Sequence, residues 1–480
     1  MKLPSWIALL FISMVGSLTV AMSSYHYDLS ADTLVNYLIS LIHWTPFYWD
    51  QDRYGMLIPG LCAWITDPVS NAICQSALHA LTSFLTFFLL AKFLWRDRWL
   101  EAGALAAIGY CALSGTGDLN SFLTPWQIYT PAMLFGLLGL LLAERSIYRS
   151  FALLCVAEWC NFSVNILLAI VVLLAGLERY GRHGRRAFPR LEGEVVLLAT
   201  SSVIGLMIQR AFAVRSSSGY ALFKSVTAVS GWIKFLESYV TGYQYSLWLL
   251  LLPPVLGMAA LVYGFRQRKR ARAIVLRRGL VALVSLLLYA MVVGASDFAR
   301  FNGYPARYLI PSVMIWLVLW SGVVVQALPL RTGDSRTLLA TWTTALTLAL
   351  ILILRFGIPS RAAVENAFTR RLGPKYDDVV RANCTHVVGN YYRVWESVFY
   401  SRVRGDRPLW GITFRADITH DQWDPEKWQF EKLTSPRICY WKDDESEALE
   451  FLRDFALWDF VTVSTVGDMV VLEKVRRSFF

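Results

Sequence analysis

Charge is scarce in this chain: only 17% of its 480 residues are Asp, Glu, Lys or Arg, where an average soluble protein has about 25%. A chain this long with so few charges cannot present a mostly polar surface to water, which excludes a wholly soluble protein. Histidine is rarer still, at six residues, and the seven cysteines (Cys62, Cys74, Cys111, Cys155, Cys160, Cys384 and Cys439) form no Cys-x-x-Cys pair. The spacing therefore signals neither a zinc site nor a redox motif. There is no Gly-rich phosphate loop, no Gly-x-Ser-x-Gly elbow and no His-Glu-x-x-His, so the sequence calls for no cofactor and no metal. The inner spans carry no paired charges, which leaves an ion- or proton-relay transporter without its usual residues.

What is abundant is apolar. Hydrophobic residues make up 56% of the chain, with 19 Trp, 22 Tyr and 27 Phe, and the mean hydropathy is +0.44. This composition predicts a polytopic α-helical membrane protein. A helix crossing a bilayer needs about 20 mostly apolar residues, and about eleven segments approach that length. They lie near 5–22, 72–94, 100–114, 128–143, 150–160, 164–177, 194–213, 246–264, 279–295, 308–327 and 337–356. The fifth and sixth are short and are split by Glu158-Trp159-Cys160-Asn161, which reads as a hairpin turning at the far membrane face.

The formal charge of +11, from 46 basic against 35 acidic residues, is then a topology signal. Lys92, Arg96 and Arg98, then Arg145 and Arg149, then Arg179 to Arg190, then Arg266 to Arg278, and finally Arg331 and Arg336, fall in alternate short connectors. The positive-inside rule places those connectors and the N-terminus in the cytoplasm, and no nucleic acid is needed to explain the excess. The first apolar run is long for a signal-peptide core and no small-residue cleavage motif follows it, so it reads as a span; cleaved or not, the next loop is extracytoplasmic. An odd number of spans puts the C-terminal residues on the same side. The domain expectation is a transmembrane domain over 1–357, with interfacial helices in its first outer loop, and an extracytoplasmic α/β domain over 358–480.

That C-terminal part has a soluble composition. Strand-like runs at Thr385 to Val388, Trp410 to Phe414, Arg437 to Trp441, Phe460 to Ser464 and Met469 to Val475 alternate with helix-like stretches at Tyr392 to Tyr400 and Glu445 to Phe455. The last two runs read as a hairpin around Val466-Gly467-Asp468. Cys384 and Cys439 open neighbouring strands, and two readings stay open for them: a disulfide, or two buried free thiols.

The first outer loop carries the densest chemistry. Behind an amphipathic stretch (Leu34, Tyr37, Leu38, Leu41, Ile42) expected in the membrane interface, it reads Trp49-Asp50-Gln51-Asp52-Arg53-Tyr54-Gly55. A carboxylate beside lipid is expensive to keep ionised and suits a general base for a hydroxyl arriving from water. The plain alternative is two solvated acids paired with Arg53. Arg300 and Arg307 sit at an outer edge against the positive-inside pattern, with Tyr308 beside them, and Arg210 adds charge at another edge; outward arginines suit a lipid-linked phosphate. Their plain alternative is pairing with Asp297 and snorkelling to the interface. Asp118, Gln127, Glu158 and Asn161 are further polar candidates for a pocket that reads a sugar; the plain alternative for Glu158 is a hydrogen bond across the bundle.

Trp49-Asp50-Gln51-Asp52-Arg53-Tyr54-Gly55 with Pro59, and Arg307-Tyr308-Leu309-Ile310-Pro311, in a bundle of about eleven spans carrying an outer C-terminal domain, resemble the bacterial GT-C type glycosyltransferases. Val388-Gly389-Asn390-Tyr391-Tyr392-Arg393-Val394-Trp395 is similar to a segment after the last span in some members. The resemblance implies inverting, metal-independent transfer of a sugar from a polyprenyl-phosphate donor to a glycan, lipid or protein acceptor outside a bacterial inner membrane. It implies a carboxylate base, Asp52 within the Gln-Asp-Arg-Tyr-Gly core with Asp50 as alternate or orienting partner. Arg307, Arg300, Arg210 and Tyr308 would bind the donor phosphate, and Trp49, Arg53 and Tyr54 would line the sugar or acceptor pocket. Two other classes fit the architecture. A flippase or transporter of lipid-linked glycans requires charges spread through the depth of the spans, whereas here they gather at the outer face. A non-catalytic envelope glycan assembly factor would make Asp50 and Asp52 dispensable.

Overall fold

The computed structural model describes the chain except residues 1–4, 24–29, 49–54, 96–97, 126–128, 185–187, 213–227, 242–245, 266–278, 281–282, 285–286, 296–305, 328–333, 406–408, 414–436, 445–457 and 477–480, and some side chains within helices, that of Arg210 among them. The first half forms α1 (Ser5–Ala21), α2 (Ala31–Leu41), α3 (Leu57–Cys62), α4 (Pro68–Trp95), α5 (Trp99–Leu113), α6 (Thr116–Leu123), α7 (Tyr129–Leu142), α8 (Ile147–Cys160), α9 (Val164–His183) and α10 (Phe188–Phe212). Then come α11 (Ala228–Thr241), α12 (Leu247–Phe265), a 3-10 turn (Ala306–Leu309), α13 (Ile310–Ala327), α14 (Asp334–Phe356) and α15 (Arg361–Arg381). The chain closes with β1 (His386–Gly389), α16 (Tyr391–Arg404), β2 (Trp410–Thr413), β3 (Arg437–Trp441), β4 (Trp458–Val466) and β5 (Met469–Arg476).

Among the described residues four helices are long and apolar enough to cross a membrane: Pro68–Trp95, Pro189–Ile208, Arg307–Ala327 and the one whose apolar stretch begins at Thr341. Shorter apolar helices include Trp6–Ala21, Trp99–Leu113, Tyr129–Leu142 and Leu247–Val262. Their outward faces confirm what solvates them. Trp6, Leu10, Met14 and Leu18 are exposed at every fourth position of α1, as are Leu346, Leu350 and Leu354 on α14. Rows of this kind are tolerated where the neighbour is lipid. The chain is a polytopic membrane protein with a C-terminal α/β domain, as its composition predicts. The short hairpin also forms, with Asn161 capping α8 three residues before α9 begins.

The centre of the bundle is α4, packed against α1, α5, α7 and α13. Asp67 opens it as an N-cap, its Oδ2 accepting the Ser70 amide at 2.7 Å, with Pro68 at the first helical position, where a missing N–H costs nothing. At the other end Trp95 is buried, and its Nε1 donates to the Val318 carbonyl at 2.9 Å. A Cβ on Gly322 would lie 1.9 Å from that indole, so only glycine lets α4 and α13 approach so closely.

The C-terminal sheet has the order β2-β1-β3-β5-β4. β1 pairs in parallel with β2 and β3, while β5 runs antiparallel to β3 and β4. The β4–β5 hairpin turns at Gly467, whose φ of 59° favours glycine. Cys384 and Cys439 are joined by a disulfide with Cα atoms 5.9 Å apart, which decides between the two sequence readings. α16 lies on β1 and β2, close enough that a Cβ on Gly411 would meet Val394 at 2.6 Å.

Two features differ from expectation. α15 was not foreseen, although Val364, Phe368, Leu372, Tyr376 and Val379 bury one of its faces; it packs on α16 through Phe368–Phe399 and Tyr376–Tyr400 ring contacts at 5.1 and 5.5 Å. α2, expected to float in the interface, is buried on both sides. Its Tyr37 donates or accepts at 2.8 Å with Ser76 of α4 and lies 5.6 Å from the Phe399 ring of α16. An apolar stripe marks a buried face without saying whether lipid or protein covers it. The helix expected at Glu445 to Phe455 lies outside the described residues.

Replacing Gly322 by valine is expected to lower stability by about 1–3 kcal/mol through overpacking against Trp95, read as a lower thermal midpoint in detergent. Gly109→Ala, at a site with nothing within 4 Å of the added Cβ, serves as the neutral control.

Candidate functional site

The acidic segment 49–54, with Trp49, Asp50, Asp52, Arg53 and Tyr54, lies outside the described residues, but both of its ends are defined. Phe47 and Gly55 form an antiparallel bridge, and the Met56 amide donates to the Pro46 carbonyl at 3.0 Å. Two indoles brace the same backbone: Trp44 Nε1 donates to the Met56 carbonyl at 2.8 Å and Trp159 Nε1 to the Pro46 carbonyl at 2.9 Å. The Gly55 amide donates to the Cys160 carbonyl at 3.2 Å. A Cβ on Gly55 would meet the Trp159 carbonyl at 2.4 Å, so the α8–α9 hairpin and the loop touch backbone to backbone. That contact explains a glycine at the end of the motif.

The C-terminal domain grips the opposite side of this clamp. Tyr391, at the first position of α16, donates its hydroxyl to Asp32 Oδ1 of α2 at 2.8 Å, and the Tyr48 hydroxyl lies 2.6 Å from it. Tyr48 and Tyr391 are both buried. Tyr391 stands in the Val388 to Trp395 segment and reaches Tyr48, the residue beside the acidic motif. Asp32 escaped the sequence reading because nothing local marks it.

Next to the clamp α4 carries a polar row through its N-terminal half. Asn71, Gln75, His79 and Ser83 recur every fourth residue, with Ser76 and Thr86 beside them, all buried. Asn71 Nδ2 donates to Ser40 Oγ at 2.8 Å, Gln75 Nε2 to the Asn36 carbonyl at 3.3 Å, and Ser83 Oγ to the Phe122 carbonyl and Thr130 Oγ1 at 2.7 and 2.8 Å. The row ties α2 and α7 to α4. Its period of four is legible in the sequence and was the signal to look for. Burial raises the Tyr37 pKa, against a smaller lowering by Ser76, so this hydroxyl keeps its proton.

The other expected site residues that the structure describes lie on several elements. Arg307 and Tyr308 occupy the 3-10 turn, with the guanidinium 5.3 Å from the Tyr308 ring centroid and Tyr308 buried; this turn packs on α6, α11 and α13. Asp118 of α6 is buried, and its Oδ2 accepts from the Gly115 and Ser246 amides at 3.0 and 3.1 Å. Glu158 accepts from Asn165, and from Ser202 Oγ at 3.1 Å, joining α8, α9 and α10. Asn161 Oδ1 accepts the Ser163 amide at 3.0 Å, one residue from the Cys160 carbonyl that holds Gly55. The structure thus brings Asn161 to the acidic loop and uses the carboxylates of Asp118 and Glu158 to fasten helices. Arg300 and Gln127 lie outside the described residues, as does the side chain of Arg210. Among the described residues no group of three or more His, Cys, Asp or Glu side chains is placed to hold a metal ion.

The class this architecture defines is a helical membrane bundle carrying a C-terminal α/β domain. Among solved structures, the chain is similar to ArnT from Cupriavidus metallidurans in the apo state, with TM-score 0.52 and 12% identity over 98% of this chain and 97% of that one. A more distant likeness is to the archaeal oligosaccharyltransferase AglB from Archaeoglobus fulgidus in complex with an inhibitory peptide and a dolichol-phosphate, with TM-score 0.31 and 11% identity over 98% of this chain and 74% of that one; at that score it carries no argument. No family model and no curated protein sequence matches the chain. The likeness to ArnT establishes the fold.

Tyr391→Phe removes one donor from Asp32, and a loss of about 0.5–1.5 kcal/mol is expected, read as a lower thermal midpoint; Tyr392→Phe, at an exposed position, leaves the midpoint in place. A second expectation concerns pH. Burial raises the Asp67 pKa, but the Ser70 hydrogen bonds and Arg361, whose Nη2 lies 3.1 Å from Oδ1, together outweigh it and hold the carboxyl below its ordinary 3.8. Glu365, also bonded to Arg361 at 2.8 Å, faces the same group. A depressed folded pKa means the contribution is complete above the unfolded value and fades as pH falls below about 4. Asp67→Asn is therefore expected to flatten the acid limb of the stability profile below that pH while lowering stability at neutrality.

Proposed function

We propose that this chain is an integral-membrane glycosyltransferase that moves a sugar from a polyprenyl-phosphate donor to a glycan, lipid or protein acceptor on the extracytoplasmic side of a bacterial cytoplasmic membrane. The observation that carries the reading is the clamp: residues 49–54, with two carboxylates and an arginine, are held at both ends where the bundle meets the C-terminal domain. A fold shared with ArnT along nearly the whole of both chains supports the class. The same contacts join the first outer loop to the C-terminal domain at one end of the bundle, which agrees with an N-terminus in the cytoplasm and residues 358–480 as an extracytoplasmic domain.

In this reading Asp52, with Asp50 as alternate or orienting partner, takes the proton from the acceptor hydroxyl. The acceptor oxygen bonds to the anomeric carbon as the bond from that carbon to the phosphate oxygen breaks, inverting the centre and releasing polyprenyl phosphate. Arg307, joined by Arg300 and Arg210, binds the phosphate and stabilises the charge that grows on it; Tyr308 packs beneath the Arg307 guanidinium. Trp49, Arg53, Tyr54, Gln127 and Asn161 line the pocket with Asp118 and Glu158, whose oxygens also join elements of the bundle. Base and cation suffice for the displacement, so no metal is required.

The test is transfer by purified protein from a synthetic short-chain polyprenyl-phosphate sugar. Asp52→Asn is expected to cut kcat by about 100-fold or more, Arg307→Ala to raise the KM for donor, and a chelator to leave the rate unchanged. Full transfer by both Asp52→Asn and Asp50→Asn sinks the base assignment. No transfer with any donor, together with lipid scrambling in vesicles, favours the transporter.

A further inference from the structure

Cys62 and Cys74 are unremarked by spacing, at 12 residues apart, yet their sulfurs lie 3.0 Å from each other. That is closer than two non-bonded sulfurs rest in ordinary contact and longer than a covalent bond. Cys62 is buried at the end of α3, and Cys74 is half-buried in the second turn of α4. The turn between them is fixed by Asn71, whose Nδ2 donates to the Cys62 and Ile65 carbonyls, each at 3.0 Å. The two side chains are thus aimed at each other by a braced backbone.

The compartment follows from contacts already described. The C-terminal domain holds the Cys384–Cys439 disulfide, a bond that persists in an oxidising compartment. Arg361, which opens α15 of that domain, reaches Asp67 Oδ1 at 3.1 Å and Ser70 Oγ at 2.9 Å. Asp67 and Ser70 lie between Cys62 and Cys74 in sequence. Both sulfurs therefore sit at the end of the molecule where one disulfide already exists.

We propose that Cys62 and Cys74 form a second disulfide, a covalent staple between α3 and α4. Cys74, the more accessible sulfur, attacks as thiolate on the disulfide of an extracytoplasmic protein oxidant, and the oxidant's S–S bond breaks to leave a mixed disulfide and one oxidant thiol. The Cys62 thiolate then attacks Cys74 Sγ, the Cys62–Cys74 bond forms, and the oxidant departs as its dithiol. The chain gives up two electrons and two protons, which the oxidant carries away. The staple ties the helix that begins immediately after Met56 to the first turns of α4, and so fixes the downstream end of the acidic loop. It stands whether or not the glycosyltransferase reading does.

The test uses the full chain in detergent, equilibrated with oxidised glutathione, alkylated in denaturant without reductant and digested with trypsin. Arg53 and Lys92 are consecutive tryptic sites, so the peptide Tyr54 to Lys92 contains Cys62 and Cys74 and no other cysteine. It is expected to be two hydrogen atoms lighter than the dithiol form and to take up two alkyl groups only after reduction. Cleavage before Asp67, between the two cysteines, is expected to leave the halves linked. Uptake of alkyl groups without reduction, or a glutathione adduct on Cys74 with Cys62 still free, overturns the proposal. The Cys384–Cys439 link in the same digest shows that the conditions preserve disulfides.

Discussion

The structure depends on how α4 satisfies polar groups in a solvent that offers no hydrogen bonds. Its N-terminal half carries Asn71, Gln75, His79 and Ser83 on one face. In hydrocarbon each unsatisfied polar group costs several kcal/mol, by the usual estimate of about 2–7. The face must therefore meet protein. It meets the Ser40 hydroxyl and Asn36 carbonyl of α2, and further down the Phe122 carbonyl and Thr130. That requirement draws α2 down onto the bundle, and α2 in turn presents Asp32 to the C-terminal domain.

The candidate site is a consequence of this arrangement. Asp32 of α2 binds Tyr391 of α16, Tyr391 touches Tyr48, and Tyr48 precedes the acidic segment by one residue. On the other side the Cys160 carbonyl holds Gly55, and Trp159 braces Pro46. The loop is short and its ends are pinned by parts of the chain more than a hundred and more than three hundred residues away. The segment's two anchors thus lie where the bundle meets the C-terminal domain, which gives that domain a part in holding the loop's ends.

Much of this was legible. Hydropathy located the described apolar helices to within about six residues because lipid demands unbroken apolar helices, with the segment expected at 279–295 lying partly outside the described residues, and alternation located all five C-terminal strands. The hairpin at Asn161 was legible from polar residues inside an apolar run. Other features were not. α15 was overlooked because its buried face is diluted by Arg and Asp on the other side, and α2 was given to the interface because amphipathicity does not name the cover. Asp118 and Glu158 stand out in the sequence as acids in apolar surroundings, but the partners of their oxygens, Ser246 and Ser202 among them, do not. Their partners lie 128 and 44 residues away, beyond the reach of any local pattern.

The sequence by itself determined that most of the chain is solvated by lipid, the kind of most of its elements, and the segment where two acids and an arginine meet aromatics. These are properties of composition and period, which act over one or two turns. Only the tertiary structure decided that the oxygens of Asp118 and Glu158 join separate elements, that Cys384 meets Cys439, that Cys62 faces Cys74, and that Tyr391 reaches back to Asp32. Those are long-range contacts, set by how polar groups find partners once lipid and packing have fixed where the helices stand.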